Sequence, residues 1–143
     1  MREALNQAKL ARKLNEVPVG AVIVSNSRII SLGHNQNIQT NSVINHAEIV
    51  AINNASKYLK NYRLVNCDIY VTLEPCHMCA KAIVDARIRN LYFACPEPKM
   101  GSVISVDNFL DKSFLNHKVH YEHGIFEKES SQILKSFFVS KRN

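Results

Sequence analysis

Two short stretches, His46-Ala47-Glu48-Ile49 and, further along, Thr72-Leu73-Glu74-Pro75-Cys76-His77-Met78-Cys79, combine metal-ligating and acidic side chains. Two thiolates and one imidazole are good zinc ligands, and the residues offering them are Cys76, Cys79 and His46. A catalytic zinc keeps three protein ligands and an open fourth position, whereas a structural zinc closes its shell with four. Three obvious ligands favour the open site; His77 is the one neighbour that could close it, although a residue between two such cysteines more often packs or faces solvent. Cys76 and Cys79 lie three apart at the start of an expected helix, so their sulfurs point to one side. The free N–H groups and dipole of a helix start help keep them as thiolates. His46 opens another helix. If both helix starts meet at one edge of a sheet, at the carboxyl ends of its strands, the ligands converge where α/β sheets usually bind ligands. Glu48 is close enough to reach water on the metal without ligating. Zinc lowers the pKa of such a water toward ~7, and Glu48 can take its proton and hand it to a leaving amine.

Outward from these motifs the chain alternates strands and helices. The spacing of Ala4, Ala8, Ala11 and Leu14 predicts a helix over 3–15, which Val17-Pro18-Val19-Gly20 breaks. Residues 21–24 and 28–32 read as a hairpin around Ser25-Asn26-Ser27. Residues 35–45 are polar and irregular. A helix is expected from residue 45 or 46 to 59, a strand over 68–72, a helix from Pro75 carrying Ala82, Ile83 and Ala86, and a strand over 91–94. A loop over 95–103, a short helix over 106–110 and a strand over 119–122 follow. An amphipathic helix over 127–142, with Ile133, Leu134, Phe137 and Phe138 as its apolar positions, ends the chain. Such alternation suggests a sheet with helices on both faces.

The 143 residues, 46% hydrophobic and 21% charged, suit one soluble globular domain spanning 1–143. No linker, repeat or low-complexity tract interrupts it. No apolar run approaches the ~20 residues that span a bilayer, and the first residues do not read as a secretory signal, so no membrane association and a cytoplasmic location are expected. The balance of 18 Lys plus Arg against 12 Asp plus Glu gives +6, which either attracts a polyanion or only aids solubility. In a chain without an export signal, Cys-x-x-Cys reads as metal-binding rather than disulfide-forming. Cys67 and Cys95 lack such spacing and read as buried thiols.

The His46-Ala47-Glu48 and Pro75-Cys76-His77-Met78-Cys79 pair resembles the H-x-E … P-C-x-x-C signature of zinc deaminases. The similarity runs nearly end to end with bacterial tRNA-specific adenosine deaminases. It is carried by Glu16-Val17-Pro18-Val19-Gly20-Ala21-Val22, Gly33-His34-Asn35, Asn61-Tyr62-Arg63-Leu64, Tyr70-Val71-Thr72-Leu73, Ala86-Arg87-Ile88, Pro98-Lys99 with Gly101, Asn116-His117-Lys118-Val119 and Phe137-Phe138. The zinc motif is shared with cytidine and guanine deaminases. The Asn-Tyr-Arg-Leu, Asn-His-Lys-Val and Phe-Phe segments favour the tRNA enzymes. The resemblance implies a three-layer α/β/α cytidine-deaminase-like fold with a central mixed five-stranded sheet, one Zn2+ per subunit and a homodimer. It implies hydrolytic deamination of adenosine to inosine at the wobble position of a tRNA anticodon stem-loop, arginine tRNA by family, with release of ammonia. By position, Asn35 would hydrogen-bond the flipped base and Val19 would line its pocket. Main-chain groups of Ala47 and Cys76 would touch the base or its reacting oxygen. Glu97, Lys99, Phe137 and Phe138 would meet the flanking nucleotides.

Plainer readings stand beside these. Asn35 follows Gly33-His34 and could stabilise a turn. Phe137 and Phe138 are adjacent on a helix, so at least one is expected in the core. Lys135, Lys141 and Arg142 could be a solvated helix end or contact phosphate. The stretch Pro96-Glu97-Pro98 has Glu for the family's common Asp and an extra Pro, and Lys81 replaces a common Gly. Two other functions remain open: deamination of a free base or nucleoside, guanine or cytidine, and a zinc-stabilised RNA-binding module without activity. The basic balance opposes the former and Glu48, which a closed structural site would not need, opposes the latter.

Overall fold

The computed structural model describes residues 1–142. Its strands β1 (Gly20–Ser25), β2 (Arg28–His34), β3 (Cys67–Leu73), β4 (Asn90–Cys95) and β5 (His120–His123) form one sheet in the order β2-β1-β3-β4-β5. β1 runs antiparallel to both β2 and β3, whereas β3, β4 and β5 run parallel, so the sheet is mixed. The helices are α1 (Arg2–Lys13), α2 (Asn37–Thr40), α3 (Ala47–Leu59), α4 (His77–Asp85) and α5 (Glu127–Arg142).

The sheet is covered on both faces. Gly20 and Ala21 are neighbours on β1 and so point to opposite sides. Gly33 is paired with Ala21 and shares its side. A Cβ on Gly20 would strike the backbone of Ala4 and Ala8 in α1, and one on Gly33 would strike Ala47 and Ala51 in α3. The two helices therefore press on opposite faces, each at a residue small enough to admit it. Ser31 donates its hydroxyl to the Ala51 carbonyl at 2.8 Å, pinning α3 to β2. Burial on both faces explains the uninterrupted run Ala21-Val22-Ile23, which is almost wholly inaccessible. α5 packs on β4 and β3 and touches α1, whereas α4 touches α3. The core between the layers holds Ile23, Ile69, Val71, Ile83, Leu91 and Phe93.

Three expectations change. The 35–45 segment contains the single-turn helix α2, because Glu16, 1% exposed, accepts the Ile38 and Gln39 N–H groups at 3.1 and 2.8 Å. Those are orphan donors of a first helical turn, and their acceptor lies too far back in the chain for local pattern to reveal it. The short helix expected over 106–110 is instead a 3-10 turn, Phe109–Asp111. Its approach is diverted where Val106 N–H bonds the Gly101 carbonyl and Phe109 N–H bonds that of Ser102. The helix expected from Pro75 begins at His77, with Cys76 as its N-cap. Among the described residues no helix is long and apolar enough to cross a membrane.

Candidate active site

α3 and α4 both begin at the sheet edge formed by the end of β2 and the ends of β3 and β4. His46 is the N-cap of α3 and Cys76 the N-cap of α4, and neither side chain caps its own helix. Their carbonyls accept the Val50 and Ala80 N–H groups, which leaves both side chains free to turn toward each other. His46 Nδ1 stands 3.7 Å from Cys76 Sγ and 3.5 Å from Cys79 Sγ. All three ligand atoms lie within 4.8 Å of one another. A tetrahedral zinc with Zn–N of ~2.0–2.1 Å and Zn–S of ~2.3 Å would hold N and S about 3.6 Å apart. The donor set therefore fits zinc, and its spacing already matches. His77 is not part of it. Its ring reaches Asp107 Oδ2 at 3.2 Å and packs edge-on against Phe109, so it leaves the fourth position open.

The electrostatics of the trio call for a cation. The Cys76 thiol is pushed down to about 4 by the hydrogen bond from Cys79, with His46 and the Cys79 backbone N–H adding to this against burial. The Cys79 thiol is pushed up, first by its contact with Cys76, then by burial and the neighbouring Glu48. One thiolate is thus easy and a second is resisted. A dication removes that resistance, because a coordinating thiol loses its proton outright. His46 is raised by its hydrogen bond to Cys76. Glu48, on the first turn of α3 and 4% exposed, is raised to about 7 by burial, with its own backbone N–H and His46 opposing. A carboxyl near neutrality suits a group that must both take and give a proton.

A cavity of about 500 Å³ opens beside His46, lined also by Glu16, Val17, Asn35, Phe137 and Lys141. Asn35 Oδ1 accepts the Ala47 N–H at 2.8 Å. Only a carbonyl oxygen can accept there, so the Asn35 Nδ2 is the atom left to donate. Asn35 thus both stabilises the turn into α3 and offers a donor to a ligand. The same bond engages the Ala47 N–H and so joins Asn35 to the start of α3. Val19 is not among the lining residues. It is 5% exposed in the core, and its carbonyl accepts the Asn35 N–H.

A second groove, about 630 Å³, is lined by Glu97, Pro98, Lys99, Phe138, Lys141 and Arg142. The structure divides the two phenylalanines. Phe137 is buried and walls the cavity beside His46, whereas Phe138, 45% exposed, joins Glu97 and Lys99. Lys141 lines both spaces. Its ammonium donates to Asn15 Oδ1 at 3.1 Å and lies 5.3 Å from the centre of the Phe137 ring. Lys81 pairs with Asp85 on the exposed side of α4. Cys67 and Cys95 are buried, and burial raises both thiols, Cys95 to about 11. Sequence reasoning missed Glu16, the shared wall at Lys141 and the role of Glu74, since each depends on contacts distant in the chain.

Residues 1–105 match the family model for the cytidine and deoxycytidylate deaminase zinc-binding region. Together with the mixed sheet and the His-Cys-Cys trio, this defines a zinc-binding deaminase domain. Over its whole length the chain is 43% identical to the tRNA-specific adenosine deaminase of Rickettsia bellii (strain RML369-C), of which it also covers the whole. It is 43% identical to that of Aquifex aeolicus (strain VF5), covering all of this chain and 94% of the relative. A tRNA:A34 deaminase solved in a study of A-to-I editing at the wobble position superimposes with a TM-score of 0.92 at 43% identity, over 94% of this chain and 97% of that one. The guanine deaminase of Nitrosomonas europaea shares the fold, with a TM-score of 0.80 at 18% identity over 94% of this chain and 80% of that one. The chain belongs to the tRNA-specific adenosine deaminase family.

Proposed function

We propose that residues 1–143 act as one cytoplasmic domain that hydrolyses adenosine to inosine at the wobble position of a tRNA anticodon, arginine tRNA by family, releasing ammonia. The observation that carries this reading is the wall shared at Lys141. It lies between a cavity beside His46, the imidazole of the His46-Cys76-Cys79 trio, and a groove with cationic and aromatic sides. A flipped base fits the first space and a neighbouring nucleotide the second, so the phosphate linking them passes over the Lys141 ammonium. A free base or nucleoside would need no such groove.

His46, Cys76 and Cys79 would hold the zinc, which when bound supplies Lewis-acid activation of water. Asn35 Nδ2 orients the base by donating to a ring acceptor. Glu48 takes a proton from the water attacking C6 of adenine and delivers it to the amino group that departs as ammonia. Phe138 offers a face for stacking an unpaired base, and Lys99, Lys141 and Arg142 offer charge to the backbone. Glu97 stands beside them as an acceptor. The burial of Glu48 shields its proton traffic from bulk water. A homodimer is the assembly that the family resemblance implies. A sedimentation mass of twice the 16.2 kDa chain checks it.

The deciding experiment incubates zinc-loaded protein with an arginine tRNA anticodon stem-loop and, separately, with cytidine and guanine. Inosine at the wobble position without turnover of the small molecules is expected. Ammonia only from guanine or cytidine would overturn the substrate assignment. Stem-loop affinity is also expected to fall with salt, and Lys141→Gln to lessen the slope of log K against log[salt] by about 0.7, the share of one phosphate on a single strand. Lys141→Arg should restore it. An unchanged slope in Lys141→Gln would remove Lys141 from the phosphate path.

A further inference from the structure

Glu74 is a buried acid, 2% exposed, that no cation neutralises among the described residues. Its charge is met by one loop. Oε2 accepts the Val103, Ile104 and Ser105 N–H groups at 3.0, 2.9 and 3.0 Å. Oε1 accepts the Glu97 N–H at 3.0 Å and the Ser105 hydroxyl. Three successive backbone donors around one oxygen form an anion-binding nest, here filled from within the chain. Gly101 leans on the same carboxylate so closely that a Cβ would collide with it. Beside it, the Pro75 carbonyl accepts both the N–H and the hydroxyl of Ser102, at 2.9 and 3.0 Å. Glu74 and Pro75 thus grip residues 97–105 immediately before Cys76 enters α4. The loop they hold carries Glu97 and Lys99 to the groove under Phe138. Pro96 and Pro98 stiffen it but do not place it, because proline sets φ and supplies no donor.

We propose, on the reading of that groove as RNA-facing, that Glu74 is a positioning residue for substrate binding. Its carboxylate sets where Glu97 and Lys99 meet the nucleotide beside the flipped base, and ties that placement to the turn that carries Cys76. Loss of the tether weakens recognition of the polynucleotide and leaves the chemistry at C6 in place. The two oxygens do separable work. In Glu74→Gln the remaining oxygen can still accept from residues 103–105. The Ser105 hydroxyl can turn and donate elsewhere, but the new amide opposes the Glu97 N–H donor to donor. Glutamine therefore releases the Glu97 end of the loop selectively.

The test compares the zinc-loaded, full-length wild type with Glu74→Gln and Gly101→Ala on the anticodon stem-loop, with zinc content measured for each. The second variant displaces the loop without altering the acid. In both, KM is expected to rise about tenfold, the cost of one charge-assisted hydrogen bond, with kcat within about twofold and zinc at one per chain. Amide hydrogen exchange over residues 97–105 should accelerate while that of α3 does not. This readout needs no RNA and so tests the tether even if wild-type protein fails to deaminate the stem-loop, a result that would count against the substrate reading instead. Unchanged exchange in the loop, unchanged KM with only a lower melting temperature, or a joint fall of kcat and zinc content would each overturn the positioning role.

Discussion

Glu48→Gln is expected to abolish all but a trace of inosine formation while the protein still binds zinc. The expected loss in kcat is ~10²–10⁴-fold, the usual contribution of a positioned general acid–base. Glutamine keeps the shape of the side chain and the packing of a residue only 4% exposed, so a fall of this size reports proton transfer and not collapse of α3. Zinc analysis by mass spectrometry alongside a single-turnover assay separates the two. Activity within a fewfold of wild type would remove Glu48 from the reaction. A pH profile adds a second check. The carboxylate must be ionised to accept a proton, so activity should rise with pH through the titration of Glu48 and be lost as pH falls through it. Burial places that titration at about 7 in the chain without metal. A dication beside the carboxylate favours its ionised form, so the acidic limb of the zinc enzyme should lie below 7, and it should be missing from the residual activity of Glu48→Gln.

Removing the metal is the second large perturbation. With a chelator, activity should disappear and the melting temperature fall, and added zinc should restore both. The trio explains why the fold itself responds. Without a cation, Cys79 resists deprotonation beside the Cys76 thiolate and buried Glu48, so the chain must keep a proton or separate its charges. Zinc at a hundredfold over its Kd stabilises the native state by about 2.7 kcal/mol through linkage alone, which for a chain of this size corresponds to roughly 5–11 °C in Tm. Cys79→Ala should lose zinc outright and lower activity beyond the ~10–100-fold that losing a mere outer-shell partner costs. Calorimetry with and without chelator gives the first number, and metal analysis of the variant the second. Full activity in thoroughly chelated protein would contradict the assignment of the trio as a required metal centre.

Much of the site was legible in the order of residues because its key groups sit close together in the chain. Cys76 and Cys79 are spaced for one side of a helix start, and His46 and Glu48 for one turn of another. Helix starts can be read from local pattern, and the metal site consists almost entirely of two of them. The strands were legible for a similar reason: Ala21-Val22-Ile23 is apolar on both sides because both sides are covered. The same locality explains the failures. Helix α2 exists because Glu16 supplies its first-turn acceptors from another part of the chain. The bond from the Ala47 N–H to Asn35 likewise joins two separate segments, whereas the divergence of Phe137 and Phe138, one buried and one exposed, follows from their adjacency on a helix as expected.

Side-chain chemistry at short, regular spacing made the candidate ligand set, the candidate acid Glu48, the alternation of strands and helices and the family resemblance readable from the order of residues. Folding was needed to bring His46 Nδ1 and both sulfurs to zinc-like distances, to gather the 97–105 loop around Glu74 and to set Lys141 in the wall of two spaces at once. Those features depend on groups brought together from distant parts of the chain when the sheet is covered on both faces, where a buried charge must find every one of its partners.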